Sequence, residues 1–265
     1  MHAFEYHRPS TVKDALALAF KKEEGRYLAG GQSLVQAMKL RLSSPTDLID
    51  LNAIGDLKAL KAESNAVTIG AMVRHAEVAA SSGVRKAIPA LASLAGIIGD
   101  RQVRHMGTIG GSLANSDPAA DYPAAVLGLG ATIVTSKRKI EADKFFKGLY
   151  ETALEPGELI TAVSFPVPKR AAYMKFKNPA SRFAIVGVFV ADFGGKVRVG
   201  VTGAGPCAFR QTDMEKALAS KFAPESVASI KVKADGLNND LHASPEYRAH
   251  LITVMAKRAV EAALN

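Results

Sequence analysis

Apolar and polar positions along the chain switch repeatedly between a helical and a strand period. A polar run, Pro9-Ser10-Thr11, precedes a stretch at 12–20 that places Leu16 and Phe20 on one helical face, with Asp14 in its first turn. Arg26-Tyr27-Leu28-Ala29 reads as a short buried strand, and Leu34, Met38 and Leu42 then fall at helical spacing behind Ser33 in a capping position. Asp47-Leu48-Ile49-Asp50-Leu51 is a second strand, so the first 55 positions predict a strand–helix–strand unit. Segments 57–60 and 67–71 suit a hairpin turning at Ser64-Asn65. Helical pattern returns at 74–80 and 90–99, followed by a helix or strand through Leu129 and a strand at 131–134. Phe165-Pro166-Val167-Pro168 interrupts the pattern and predicts a domain boundary. Beyond it, 185–193 and 197–201 flank Gly194-Gly195 as a second hairpin, and helices are expected at 213–220 and 246–263, the last entered through Ser244-Pro245. The expected class is α+β with mixed sheets.

Composition narrows the function classes. At 265 residues, 48% hydrophobic and 22% charged, the chain has the makeup of a soluble globular protein of one large or two ordinary domains. Its start, Met1-His2-Ala3-Phe4-Glu5-Tyr6, lacks the basic and apolar regions of a signal peptide, and no apolar run approaches the roughly 20 residues of a membrane span. A cytoplasmic protein is expected. The single cysteine, Cys207, excludes an intrachain disulfide and a cysteine-ligated iron–sulfur cluster, and reads as a small buried apolar residue. The six histidines form no metal-binding pair. The formal charge of +9 suits an anionic cofactor, nucleic acid or an acidic partner. However, no aromatics interleave with the basic residues, which argues against nucleic acid, and Lys137-Arg138-Lys139 reads as a solvated turn.

The candidate chemistry lies in two glycine-rich turns. Ala29-Gly30-Gly31-Gln32-Ser33-Leu34 and Thr108-Ile109-Gly110-Gly111-Ser112-Leu113-Ala114-Asn115 each join a glycine pair to a serine and an apolar residue. Glycine admits positive φ and close ligand approach, and clustered amides with a serine hydroxyl favour a bound anion, so the two turns could close on one diphosphate. Polar residues crowd the second turn: Arg101 and Arg104 before it, then Asn115, Ser116, Asp117 and Asp121. Asp121 could accept from a ribose or ribityl hydroxyl. Equally, Asp117-Pro118 could start a turn and Asp121 cap the next helix; the residues leave both open. There is no dinucleotide G-x-G-x-x-G after a strand and no Walker lysine.

At these residues the chain resembles the FAD-binding medium subunits of molybdenum hydroxylases, the family of aerobic carbon-monoxide dehydrogenase and xanthine dehydrogenase. The resemblance runs through the first glycine turn with Met38-Lys39-Leu40-Arg41, Leu48-Ile49-Asp50-Leu51 and Gln102-Val103-Arg104. It continues through Gly107-Thr108-Ile109-Gly110-Gly111-Ser112, Asp117-Pro118-Ala119-Ala120-Asp121 and Glu155-Pro156-Gly157-Glu158-Leu159-Ile160. It implies a two-subdomain FAD-binding domain of vanillyl-alcohol oxidase/PCMH-like fold at 1–167, divided near 54, then a small α+β C-terminal domain at 168–265. Noncovalent FAD would lie between them. Its diphosphate would sit on Ala29, Gly30, Gly31, Gln32, Ser33 and Leu34 and on Gly107, Thr108, Gly110, Gly111 and Ser112. Asp121 and Asn115 would lie nearby, with Leu159 or Ile160 beside the flavin. A lysine of the Tyr-x-Lys-Phe-Lys run maps to Lys177, with Lys175 as the alternative. Asn178-Pro179-Ala180-Ser181-Arg182 departs from the family, which often has an aspartate where Arg182 stands.

The implied role is electron transfer. A partner subunit would carry the molybdenum cofactor and another two [2Fe-2S] clusters, in a dimer of heterotrimers, with electrons leaving FAD here for an external acceptor. No catalytic acid, base or nucleophile and no metal ligand is expected in this chain, and His75 and His105 read as surface histidines. The alternative is a self-sufficient vanillyl-alcohol-type oxidase, although the stretch after the boundary is short for a substrate domain. A nucleotide-binding module without flavin is the third reading.

Overall fold

The computed structural model describes residues 1–22 and 24–265. Its first layer is a parallel three-stranded sheet of β1 (Glu5–His7), β2 (Arg26–Leu28) and β3 (Asp47–Asp50), with β3 central, connected by α1 (Val12–Lys21) and α2 (Leu34–Lys39). Thr11 caps α1 by accepting from the Asp14 amide at 3.1 Å. The residues that α1 turns inward are Val12, Ala15, Leu16, Leu18 and Ala19. Phe20 falls just outside them and is 90% exposed, contrary to the expected pairing with Leu16. Similarly, α2 stops at Lys39, Arg41 takes a left-handed φ of 61°, and Leu42 is left exposed rather than on the helix face.

The second layer is an antiparallel sheet ordered β4 (Leu60–Ala62), β5 (Ala66–Gly70), β10 (Ile160–Pro166), β6 (Thr132–Thr135), β7 (Lys139–Glu141). Its outer elements follow in chain order. After β5 come α3 (His75–Ala80), α4 (Ser82–Ala87), α5 (Pro89–Gly96), α6 (Arg101–Met106), α7 (Ile109–Asn115) and α8 (Tyr122–Leu129). Then follow β6 (Thr132–Thr135), β7 (Lys139–Glu141), α9 (Ala142–Phe145), the small pair β8 (Phe146–Gly148) and β9 (Glu151–Thr152), and β10 (Ile160–Pro166). The expected hairpin at 57–71 is β4–β5, and the ambiguous stretch before Leu129 is helical. α8 is apolar on every face and wholly buried.

The last layer is an antiparallel sheet of β11 (Arg170–Lys177), β12 (Ala184–Asp192), β13 (Val197–Thr202) and β14 (Phe209–Arg210). It is covered by α10 (Thr212–Ser220), α11 (Glu225–Ala228) and α12 (Pro245–Leu264). Ser244 caps α12, accepting from the Tyr247 amide at 3.3 Å. α8 packs against β12 and β13, so one apolar core runs from the second layer into the third. The architecture is α+β as expected. The parallel and antiparallel pairings, however, are segregated into separate sheets instead of being mixed within one. Cys207 is only half-buried, not the core residue expected.

Candidate functional site

Between the first two layers lies a cleft of about 590 Å³, a size that takes a cofactor-sized ligand. It is lined by Ala29, Gly30, Gly31, Gln32, Ser33 and Leu34, by Gly107, Thr108, Gly110, Gly111, Ser112, Asn115 and Asp121, and by Leu159 and Ile160. Fifteen of the sixteen residues singled out in the sequence thus meet in one place. Lys177 does not line the cleft.

The two glycine turns are built differently. In the first, β2 runs out at Leu28, Gly31 takes a φ of 72°, and α2 begins at Leu34. Among the described residues, the amides of Gly30, Gly31, Gln32 and Ser33 donate to no backbone acceptor, and the Ser33 side chain makes no capping bond. This is a run of free donors on a cleft wall, suited to an anion. In the second, the glycine pair is not a turn but the opening of α7. Ile109 N donates to Val73 O at 3.1 Å, Gly110 N to Ala71 O at 2.9 Å, Ser112 N to Thr108 O at 3.0 Å, and Gly111 N to Thr108 Oγ1 at 3.1 Å. The amide cluster expected there is therefore already bonded within the protein. Gly110 is required by packing: a Cβ on it would stand 2.5 Å from Ala71 Cβ. The two turns also touch, because a Cβ on Gly30 would stand 2.1 Å from Met106 O.

Beside this wall Asp121 is 4% exposed. Tyr173 donates its hydroxyl to Oδ1 at 2.6 Å, and Lys175 Nζ lies 2.9 Å from the same oxygen. Burial pushes the Asp121 carboxyl up, against the pull of Lys175 and Tyr173. Its oxygens are held from within the protein, and it makes no side-chain cap to α8 although it occupies the N-cap position. The Asp117 turn is present, with Ala119 N donating to Asp117 Oδ1 at 2.8 Å.

The first 168 residues answer the rest: positions 2–168 match the family model described as the FAD binding domain in molybdopterin dehydrogenase. The carbon monoxide dehydrogenase medium chain of Afipia carboxidovorans is 36% identical, the match covering 98% of this chain and 96% of that one. The chain belongs to the FAD-binding medium subunits of the molybdenum hydroxylases. The glyceraldehyde dehydrogenase medium chain of Sulfolobus acidocaldarius is 33% identical over 97% of this chain and 96% of its own length. A solved structure, the reconstituted CO dehydrogenase from Oligotropha carboxidovorans, contains a chain that superposes with a TM-score of 0.91 at 35% identity, covering 99% of this chain and 98% of that chain. FAD is thus the cofactor of this oxidoreductase subunit, and the run of free amides beside a glycine cradle fits a diphosphate.

Several expectations about this flavin subunit change in detail. A register shift between Phe176 and Lys177 ends the regular pairing of β11, and Lys177 is exposed. Lys175, the alternative, does not line the cleft either, but it reaches the cleft residue Asp121: its side chain is 3% exposed and also donates to the carbonyls of Ile97 at 3.1 Å and Arg182 at 3.0 Å. The divergent loop at 178–183 is knit by Asn178, whose Oδ1 accepts from Ala180 N and Ser181 N, and it presents Arg182 and Phe183 to the cleft. His75 is no surface histidine: it lines the cleft at 5% exposure, and burial, aided by the charge of Arg104, pushes it down to about 4. It is neutral at neutral pH. His105 is exposed. Among the described residues no helix is long and apolar enough to cross a membrane, and no group of three His, Cys, Asp or Glu side chains could hold a metal ion.

The turn before Leu159 depends on Glu158, a residue the motif reading did not single out for a structural role. Its buried carboxylate accepts from Thr135 Oγ1 at 2.6 Å, from Arg138 Nε and Nη2 at 3.1 Å each, and from the Glu155 amide at 2.8 Å. Residues 137–139 are exposed as expected, and Arg138 also pairs with Glu158 from that surface. Burial pushes the Glu158 carboxyl up, but these donors outweigh it and hold the group at about 2. Because the folded value lies below the ordinary 4.5, its stabilisation is fully present above that pH and is lost as pH falls toward 2. Replacing Glu158 with Gln is expected to cost about 1–2 kcal/mol at pH 7 and to flatten the acid limb below pH 4.5 in chemical denaturation.

Proposed function

We propose that this subunit holds FAD noncovalently with its diphosphate on the amides of Gly30, Gly31, Gln32 and Ser33, and relays electrons from partner [2Fe-2S] clusters to an external acceptor. The free amides on the cleft wall carry the reading. Thr108, Ser112 and Asn115 line the same cleft, and Gly107, Gly110 and Gly111 are closely packed beside them. Leu159, just before β10, and Ile160, its first residue, are both buried and would lie beside the flavin and keep water from it. Asp121 acts through the Lys175 and Tyr173 contacts that set the shape of this wall. Bound FAD supplies the redox chemistry, while the chain orients it and sets its surroundings.

The relatives are named as medium chains of dehydrogenases, which supports partners of two other sizes. These would be a large subunit with the molybdenum cofactor and a small subunit with the clusters, as a dimer of heterotrimers in the cytoplasm. The FAD-binding portion would divide at 1–54 and 55–167, with 168–265 as the C-terminal domain. Native purification tests the reading. The flavin-bearing chain should co-purify with a molybdenum-containing and an iron–sulfur chain, and substrate turnover should require all three. Turnover by this chain alone would replace the relay with a self-sufficient oxidase.

A further inference from the structure

The first glycine loop has a control residue outside the cleft. β2 and β3 run in parallel with Leu28 opposite Asp50, so the chain leaving each strand emerges side by side. From β2 comes the Ala29–Gly30 peptide, and from β3 comes Asn52. The Asn52 side-chain amide donates one hydrogen to Ala29 O at 3.1 Å and the other to Asp50 Oδ1 at 2.7 Å. The Asn52 backbone amide donates to the same Asp50 oxygen at 2.9 Å. Tyr6 then donates its hydroxyl to Asp50 Oδ2 at 2.5 Å. Asp50 itself is 6% exposed, so the line Tyr6–Asp50–Asn52–Ala29 is anchored in the sheet.

The geometry of a peptide gives this line a consequence. There are no cis peptide bonds in the described chain, and in a planar trans unit the C=O and the following N–H point in opposite directions. Drawing the Ala29 carbonyl toward Asn52 therefore turns the Gly30 N–H the other way. That N–H is the first of the four free donors. Asn52 does not line the cleft and so does not touch its contents.

We propose that Asn52 is a positioning residue for FAD, one that fixes the Ala29–Gly30 peptide so that its N–H meets the diphosphate. This rests on the reading of the first loop as the diphosphate cradle. Two parts of the ligand separate the roles: ADP carries the diphosphate without the flavin, and riboflavin carries the flavin without the diphosphate. Full-length chain freed of flavin is titrated with FAD, ADP and riboflavin by calorimetry, alongside Asn52→Asp and Asn52→Ala. Asn52→Asp keeps the shape but has no hydrogen for Ala29 O, and it sets a second carboxylate against Asp50.

Both variants should weaken FAD and ADP by roughly tenfold or more, Asn52→Asp the more severely, with riboflavin unchanged within about twofold. An Asn52→Asp chain that binds ADP like the native one overturns the proposal. So does an Asn52→Ala chain that loses riboflavin as much as ADP, since that is a general loss of structure. If the native chain binds FAD but ADP does not compete for the site, the diphosphate reading itself fails, and the positioning role with it.

Discussion

Gly30→Ala should leave the chain nearly free of FAD. The new Cβ would stand 2.1 Å from Met106 O and 2.7 Å from Gly107 Cα, and both are backbone atoms with no rotamer to escape into. One of the two facing segments must shift, and the segment that shifts carries either the free amides or the Gly107–Thr108 wall. Forced overpacking of this kind costs about 1–3 kcal/mol, but the larger effect is on binding, because misplacing several charge-assisted donors together forfeits most of their worth. The ratio of visible to ultraviolet absorbance of the purified protein should fall to roughly a tenth of the native value. Gly55→Ala is the control: a Cβ there meets nothing within 4 Å, and flavin content should be native. A flavin-replete Gly30→Ala protein would mean that the contact between the two turns is not what shapes the cradle.

Lys175→Met should be the most destabilising single change at the cleft. The Lys175 ammonium and the Asp121 carboxylate are 2.9 Å apart with side chains 3% and 4% exposed. Removing the cation leaves a buried carboxylate with only Tyr173 to satisfy it, a loss of about 3–5 kcal/mol in such settings. The same lysine ties the carbonyls of Ile97 and Arg182, so the segments on either side of the cleft mouth should loosen too. The sign with pH follows from the orphaned carboxyl. Without Lys175 its folded value rises further, so the deficit is greatest at neutral pH and shrinks as pH falls toward the carboxylate range. Adding Asp121→Asn should recover much of the loss, because no charge is then left buried. Chemical denaturation of the native chain and the two variants at two pH values measures this directly. Equal stability of Lys175→Met and native chain would show that the pair is electrostatically idle.

The parts of this structure that were legible in the sequence depend on neighbours close in the chain. The β4–β5 hairpin announced itself by alternation around Ser64-Asn65, and α12 by Ser244-Pro245 at its entry. The cleft residues were legible because the resemblance follows short motifs whose spacing is intact. What stayed hidden depends on contacts made across the fold. Phe20 and Leu42 obey helical spacing, yet one lies just past the buried stripe of α1 and the other beyond the end of α2. The amides of α7 look free in the motif, because the carbonyls of Ala71 and Val73 that accept from them come from a different segment. That Lys175 turns to Asp121 while Lys177 lies at the irregularity ending β11 is set by the fold and not by the motif. Asn52 carries no motif signal, and only the parallel register of β2 and β3 places it beside Ala29.

The proposed cradle for the FAD diphosphate is the first glycine loop with its free amides. The most direct measurement is a crystal structure of the subunit with its flavin bound. The expected result is diphosphate oxygens within about 3 Å of the amides of Gly30, Gly31, Gln32 and Ser33, with the Ala29 carbonyl still bonded to Asn52. A diphosphate lying away from these four amides, with the flavin elsewhere in the cleft, would contradict the account.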